Sequence, residues 1–343
     1  NLSYNRKHIV IINRSVLDSI IDDNTGVFGL IERTHAQDLK YNLTGIGGFK
    51  YLFDIRIDVD FSDVTNEFCN DLYGKEIIII NYARFVDHEF LQTPLLLCEN
   101  INDAKLYLFL STLYLMKDDN FNCIKINVIP DHGGGSTTIN KFTEVKDLHK
   151  ICLCILDSDK KFPEDSEKNT SLSFSSQDRK INNLSKAIVL DAHEIECIIP
   201  IYLLVDVLKE KKYGDSAILA IDRIKKINEY RRYLDHKKGM SLREALNLKV
   251  ENKTNYWYEA FSKIEEVQQR DCFKMKTCLD CDNCIYITGL GDNVLSNTIN
   301  YLDGINGLKY KKQVKQACLN DWAPFARSII QWGSSLSHRS TVT

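Results

Sequence analysis

Apolar runs closed by acidic residues set the pattern of this chain. Leu95-Leu96-Leu97-Cys98 leads into Glu99 and then Asp103. Ile151-Cys152-Leu153-Cys154-Ile155-Leu156 leads into Asp157-Ser158-Asp159, and Ala187-Ile188-Val189-Leu190 into Asp191, Glu194 and Glu196. Runs with so little polar alternation predict strands covered on both faces, as in a parallel sheet. Between them, Asn102-Asp103-Ala104 opens an apolar helical stretch that reaches Met116. A further strand is predicted over 123–129, then a glycine-rich turn, a helix over 138–148 and a polar loop over 160–182. Strands and helices alternating at this spacing imply right-handed crossovers. Ligand sites in such sheets lie at the carboxyl ends of the strands.

The fold class expected is therefore α/β, a parallel sheet flanked by helices over 91–205. Residues 1–90 contain a strand-like Ile9-Val10-Ile11-Ile12, a helical stretch over 16–21 and a strand-like run over 75–80, and are expected to form at most a small α/β unit of unknown role. Over 206–268 a helical region is expected, with Ile218, Ile221, Ile224, Ile227 and Tyr230 every third residue. It is partly basic, so a solvated face and a phosphate-contacting arm are both open. Residues 269–335 are expected to form a small Cys-rich C-terminal module. It ends in an aromatic-rich helix over 321–332, which reads as core packing or as a homo-oligomer or partner face. The Ser-rich tail from Gly333 is expected to be disordered.

At 343 residues there is room for roughly two domains. A net charge of −3 removes any whole-molecule signal for nucleic acid, so such a signal has to be local. No window is long and apolar enough to cross a membrane. The opening Asn-Leu-Ser-Tyr-Asn-Arg lacks the apolar core of a secretion signal, and with no initiator Met a fragment or processed chain is expected. Cys98, Cys152, Cys154 and Cys197 fall in apolar runs and read as reduced core residues of a cytoplasmic protein.

The carboxylates carry the chemistry. Asp157 and Asp159, at i and i+2 after an apolar run, are expected to point one way and to repel without a cation. Glu194 and Glu196 repeat that spacing. Hard oxygen ligands gathered at one rim call for Mg²⁺ or Mn²⁺. The turn Gly133-Gly134-Gly135-Ser136-Thr137-Thr138 lacks a P-loop lysine. Gly134, Gly135 and Ser136 are candidate contacts to a substrate phosphate, or else part of a mobile turn that caps a helix. His132 and His193 lie near the same rim as substrate contacts or structural residues.

Leu96-Leu97-Cys98-Glu99-Asn100-Ile101-Asn102-Asp103-Ala104, Asp157-Ser158-Asp159 and His193-Glu194-Ile195-Glu196-Cys197-Ile198-Ile199-Pro200 together resemble a Toprim domain. They are similar in particular to the nucleases of the overcoming-lysogenization-defect family and to retron-associated anti-phage effectors. Asn100 stands where the family pattern has Gly, a turn position Asn can fill through left-handed backbone.

The resemblance covers 91–205 and implies Mg²⁺-dependent phosphodiester hydrolysis of DNA or RNA, including transfer RNA. In that reading Asp157 and Asp159 hold the metal, and Glu99 is a ligand or general acid/base. Asp103, Glu194 and Glu196 would complete a second metal site, giving two ions. It also implies an anti-phage effector restrained by a regulatory partner such as an ATPase or a reverse-transcriptase complex. A non-catalytic nucleic-acid-binding or assembly module with degenerate acids is the alternative.

Cys272, Cys278, Cys281 and Cys284 sit close in sequence. The group suits structural Zn²⁺, an iron–sulfur cluster with Cys318 as a remote ligand, or reduced thiols without metal.

Overall fold

The computed structural model describes residues 7–62, 67–85, 92–118, 121, 123–211, 214–279, 284–305 and 308–337. The N-terminal part is a small α/β unit. Helices Arg14–Ile21 and Leu30–Ile46 precede strands β1 (Ile55–Asp60), β2 (Glu67–Asn70) and β3 (Glu76–Asn81). β3 lies between the others, parallel to β1 and antiparallel to β2. The run Ile9-Val10-Ile11-Ile12 is not a strand. Asn13 directly after it caps the first helix, its side chain accepting from Ser15 N, and that turns the chain away from pairing.

The strands that follow are β4 (Leu95–Cys98), β5 (Ile124–Ile126), β6 (Ile129–His132), β7 (Cys152–Leu156) and β8 (Ser185–Val189). A four-stranded sheet runs β6-β4-β7-β8, and every neighbouring pair in it is parallel. The strand expected over 123–129 is split in two. β6 joins this sheet as an edge strand, where Pro130 has no ladder bond to lose. β5 turns away to pair antiparallel with a strand from the far end of the chain.

Further on lie β9 (Gly239–Ser241), β10 (Tyr286–Thr288) and β11 (Ser334–Leu336). β9 pairs with β10, and β11 returns to β5. The tail expected to be disordered from Gly333 thus begins as a paired strand.

The central strands serve two cores, which is why their sequences barely alternate. Leu96, Cys98, Leu153 and Ile155 face helix Ile101–Leu115 and helix Gln316–Gly333. Leu97, Cys152, Cys154 and Leu156 face Phe142 and Val145 of helix Thr138–Asp147. Full burial of each large apolar side chain contributes roughly 1.5–3 kcal/mol, so the sheet is anchored from both sides. The cysteines expected in the core are all buried there.

The C-terminal third is organised differently from the expectation. Ile224, Tyr233, Leu246, Trp257, Phe261 and Ile264 form a separate core that also takes in Cys272, Phe273, Ile285 and Ile287. The helical region therefore extends through β10. From Val294 onward the chain packs on the main core instead, through Val294, Ile299, Trp322, Phe325 and Ile329. Phe325 meets Tyr107 edge-on at 4.9 Å, and Trp322 Nε1 donates to Ile198 O at 3.1 Å. Core packing thus accounts for the aromatic terminal helix. In helix Asp215–Lys226 the buried face is Ala217, Ala220, Ile221 and Ile224, while Ile218 is exposed. A three-residue spacing drifts off one helical face, since the period is 3.6. No helix among the described residues is long and apolar enough to cross a membrane.

The cysteine group forms no metal cluster among the described residues. Among these, the His, Cys, Asp or Glu atoms that come within 4.8 Å of one another as a set of three belong to His193, Glu194 and Asp235. Cys272 is fixed in the second core, and Cys284 Sγ accepts from Arg243 N. Cys281 lies outside the described residues.

Candidate metal centre

β4 and β7 are adjacent and parallel, with Cys98 opposite Ile155. Glu99 and Asp157 therefore leave neighbouring strand ends on the same edge of the sheet. The chain places its second strand on one side of β4 and its third on the other, so this edge is the topological switch point, where open α/β sheets hold ligands.

Each acid is fixed by a local device. Asn100 is extended (φ −128°) and acts as N-cap of helix Ile101–Leu115, so the position needs no left-handed residue. Its N–H donates to Asp103 Oδ2 at 2.8 Å while its side chain accepts from Asn102 N, a capping box. Thr170 Oγ1 donates to Glu99 Oε2 at 2.9 Å. Glu99 Oε1 is buried with no hydrogen-bond partner. Asp159 is left-handed (φ 52°) and its carboxylate accepts from Asn169 Nδ2 at 2.9 Å. Asp157 and Asp159 thus do not project as an extended i, i+2 pair. Between them Ser158 is buried, its hydroxyl donating to Ala192 O, which ties this turn to the chain after β8.

The glycine-rich turn has a job other than the one expected. Gly134 N and Gly135 N both donate to Glu99 O, at 3.1 and 3.2 Å, and Gly133 N donates to Cys98 O. The amides expected to meet a phosphate through Gly134 and Gly135 are spent on holding the Glu99 backbone, and Ser136 sits in the short turn that follows. A Cβ at Gly133 would lie 2.3 Å from Thr138 Cα. Gly133→Ala is therefore expected to cost about 1–3 kcal/mol and to displace Glu99, read as a lowered Tm and weaker divalent-ion binding. Unchanged values for both would refute this role.

Glu194 and Glu196 follow β8 in a short turn, not at a strand end. Both meet Lys237, a residue the sequence reading did not single out. Its Nζ lies 2.7 Å from Glu194 Oε2 and 3.2 Å from Glu196 Oε1. The second contact is in ion-pair range but not aligned as a hydrogen bond, and both Glu196 oxygens lack such a partner. Glu194 Oε1 accepts from His236 N at 2.9 Å. Lys237 follows Asp235 and His236 in a polar segment with no periodicity to mark it. His193 Nδ1 pairs with Lys160 O, and its Nε2 lies 3.9 Å from Asp235. His132 ends the edge strand β6.

The acids act on one another. Burial drives Asp157 well above the usual carboxylate range, and Asp103, Glu196, Glu99 and Glu194 add to that. Burial raises Glu99, aided by Asp159 and opposed by Thr170. It raises Asp103 to about 6. Glu196 rises to about 7, from burial first and Glu194 second, against the pull of Lys237. Burial works against the Lys237 ammonium, but the two glutamates outweigh it and hold its pKa above the usual lysine value. One ammonium compensates one of two carboxylates, and the other keeps its proton to near neutrality.

A sign follows for stability. Unfolded Glu and Asp lose their protons near pH 4, whereas folded Asp103 and Glu196 hold theirs to about 6 and about 7. At these two groups the unfolded state binds fewer protons in that window, so their contribution to metal-free stability falls as pH rises from about 4 to about 7, while buried His236, with its pKa lowered to about 3, contributes with the opposite sign. Melts of wild type and of Glu196→Gln in EDTA across this range test it, and the same pH slope in both proteins would contradict a raised Glu196.

Comparison with models of known protein families, with curated proteins and with solved structures finds no match.

Proposed function

We propose that the edge formed by Glu99, Asp157 and Asp159 is a divalent-metal centre for phosphodiester hydrolysis of nucleic acid, of the Toprim kind that the motifs resemble. The observation that carries this reading is the meeting of Glu99 and Asp157 at the switch point of the sheet, with Glu99 Oε1 buried and without a partner. Carboxylate oxygens are the donor set that Mg²⁺ or Mn²⁺ prefers. A bound ion would offset the burial and the neighbouring carboxylates that now raise Asp157. When bound, such an ion polarises a phosphoryl oxygen and activates water.

In this reading Asp157 holds the ion beside Glu99, and Asp159, whose carboxylate accepts from Asn169, has to turn inward to join them. Glu99, raised by burial and oriented by Thr170, is placed to hold or pass a proton. The second ion implied by the resemblance is not part of the proposal. Lys237 already supplies a positive charge to Glu194 and Glu196, and one Asp103 oxygen is committed to the helix cap. The roles of anti-phage effector and of a partner-restrained enzyme belong to the same proposal and rest on the resemblance alone.

The experiment is a cleavage assay on single- and double-stranded DNA and on RNA, including transfer RNA, with Mg²⁺, Mn²⁺ or EDTA. Cleavage lost in EDTA supports the proposal; no cleavage of any substrate under either metal removes it. A second reading, a non-catalytic nucleic-acid-binding module, is favoured by Lys237 itself, since an ammonium can satisfy part of the acid cluster without a metal. Nucleic-acid binding that persists in EDTA with no cleavage under either metal would select it.

A further inference from the structure

Behind the turn that carries Glu196 lies a cavity of about 1260 Å³ that the metal centre does not use. Arg231 lines it, is only 8% exposed, and leaves Nη1 buried with no partner while Nη2 donates to Ile199 O at 2.7 Å. Two helix N-termini contribute to the same wall. Helix Ile201–Glu210 brings Pro200, Ile201 and Tyr202, and helix Gln316–Gly333 brings Lys315, Ala317 and Cys318. Neither has a side-chain cap, and of the first turn of helix Ile201–Glu210 Leu203 N donates back to Pro200 O, which leaves the amides of Ile201 and Tyr202 without a capping side chain. Lys312 and Lys315 also line the cavity and form no ion pair among the described residues. Three carboxylates also line it: Asp321 is paired with Arg232 at 2.8 Å, Asp206 accepts from Tyr310 Oη at 3.1 Å, and Glu229 lies beside Asn228 and Lys225 of the same wall.

A buried guanidinium whose acidic neighbour, Asp321, is already paired with Arg232 is costly to keep. Here it faces a space edged by two further cations and by two positive helix ends. That arrangement matches a multiply charged oxyanion: the fork of Arg and the helix amides both favour phosphate. Val205, Val314 and Tyr202 give the cavity an apolar side as well, and the buried Tyr202 hydroxyl has no partner. We propose that this cavity binds a phosphate-bearing ligand, with its phosphate between Arg231 and the two helix N-termini. The source is a free nucleotide or a nucleotide of a polynucleotide chain. The site does not depend on the hydrolysis reading, because it is built from other residues. It shares with the metal centre the turn Ile195–Ile198 and the segment 231–237, so each site borders the other.

The test is equilibrium binding to the full chain in EDTA, which silences any metal chemistry. The probes are ATP, a fluorescent twelve-nucleotide oligothymidine and inorganic phosphate as competitor. The variants are Lys312→Ala with Lys315→Ala, both exposed positions, and Arg231→Lys, which keeps the charge and removes the fork. A Kd at or below about 1 mM for one probe, weakened roughly tenfold or more in both variants, is the expected result. ATP binding without oligonucleotide binding marks a nucleotide site, and the reverse marks a polynucleotide track; either supports the proposal. No binding of either probe, or binding equal in wild type and the double-lysine variant, overturns it. A cleavage assay that fails leaves this result untouched, and the reverse also holds.

Discussion

Asp157→Asn is expected to remove divalent-dependent cleavage and, at the same time, to raise the Tm of the metal-free protein. The two effects have one cause. Asp157 is half-buried, and burial together with four neighbouring carboxyl groups disfavours its ionised form. In the unfolded chain the same group ionises freely near pH 4. Folding above that pH therefore works against its proton equilibrium, and an amide of the same shape does not. The gain in Tm should be several degrees near neutral pH. It should vanish toward pH 4, where both states are protonated, and shrink when Mg²⁺ or Mn²⁺ is added to wild type, because ion binding displaces the proton. Loss of a metal-holding carboxylate is expected to lower the cleavage rate by roughly a thousandfold, about 4 kcal/mol in barrier. Thermal melts across pH with and without metal, beside the cleavage assay, read both effects. A variant that melts below wild type in EDTA at pH 7.5 would show that the carboxylate is a structural partner and not a vacant ligand.

Lys237→Met carries the second large effect. The lysine is the cation that Glu194 and Glu196 share, and Glu196 is fully buried. Removing one member of a buried ion pair strands the other charge, at a cost of about 3–5 kcal/mol. Part of that cost is avoided as Glu196 takes up a proton, so the loss should be greater at pH 8 than at pH 5.5. The more telling outcome concerns metal. If the acid cluster accepts any cation, Mn²⁺ should restore stability to Lys237→Met far more than it stabilises wild type. Double substitution with Glu196→Gln should recover much of the loss even without metal. A Lys237→Met protein as stable as wild type at pH 8 would mean that the ion pair adds nothing to the fold, and would take with it the reason for a single ion at this edge.

The apolar runs that end at Cys98, Leu156 and Val189 were legible as buried strands because a sheet covered on both faces demands long apolar stretches, whatever packs on it. The acids after them were legible as a group for the same reason: parallel strands bring their carboxyl ends to one edge. The N-terminal helix and β3 were readable from local patterning alone. The split of the 123–129 run was not, because what separates β5 from β6 is a partner strand more than two hundred residues away. The partners of the residues around the cysteines were illegible on the same ground. Cys272 and Ile287 complete a core built by residues 224–267, and sequence distance says nothing about which apolar faces will meet.

Sequence by itself therefore determined the parallel α/β character of the centre and that Glu99 and Asp157 follow adjacent strands, since both follow from local hydrophobic periodicity. Tertiary structure alone decided how each acid is occupied. It gave the Gly134 and Gly135 amides to the Glu99 backbone, set Thr170 on the Glu99 side chain, and brought Lys237 to Glu194 and Glu196 from more than forty residues away. These are choices of partner, and a partner's charge or hydrogen bond is felt only across space, where the order of residues leaves no mark.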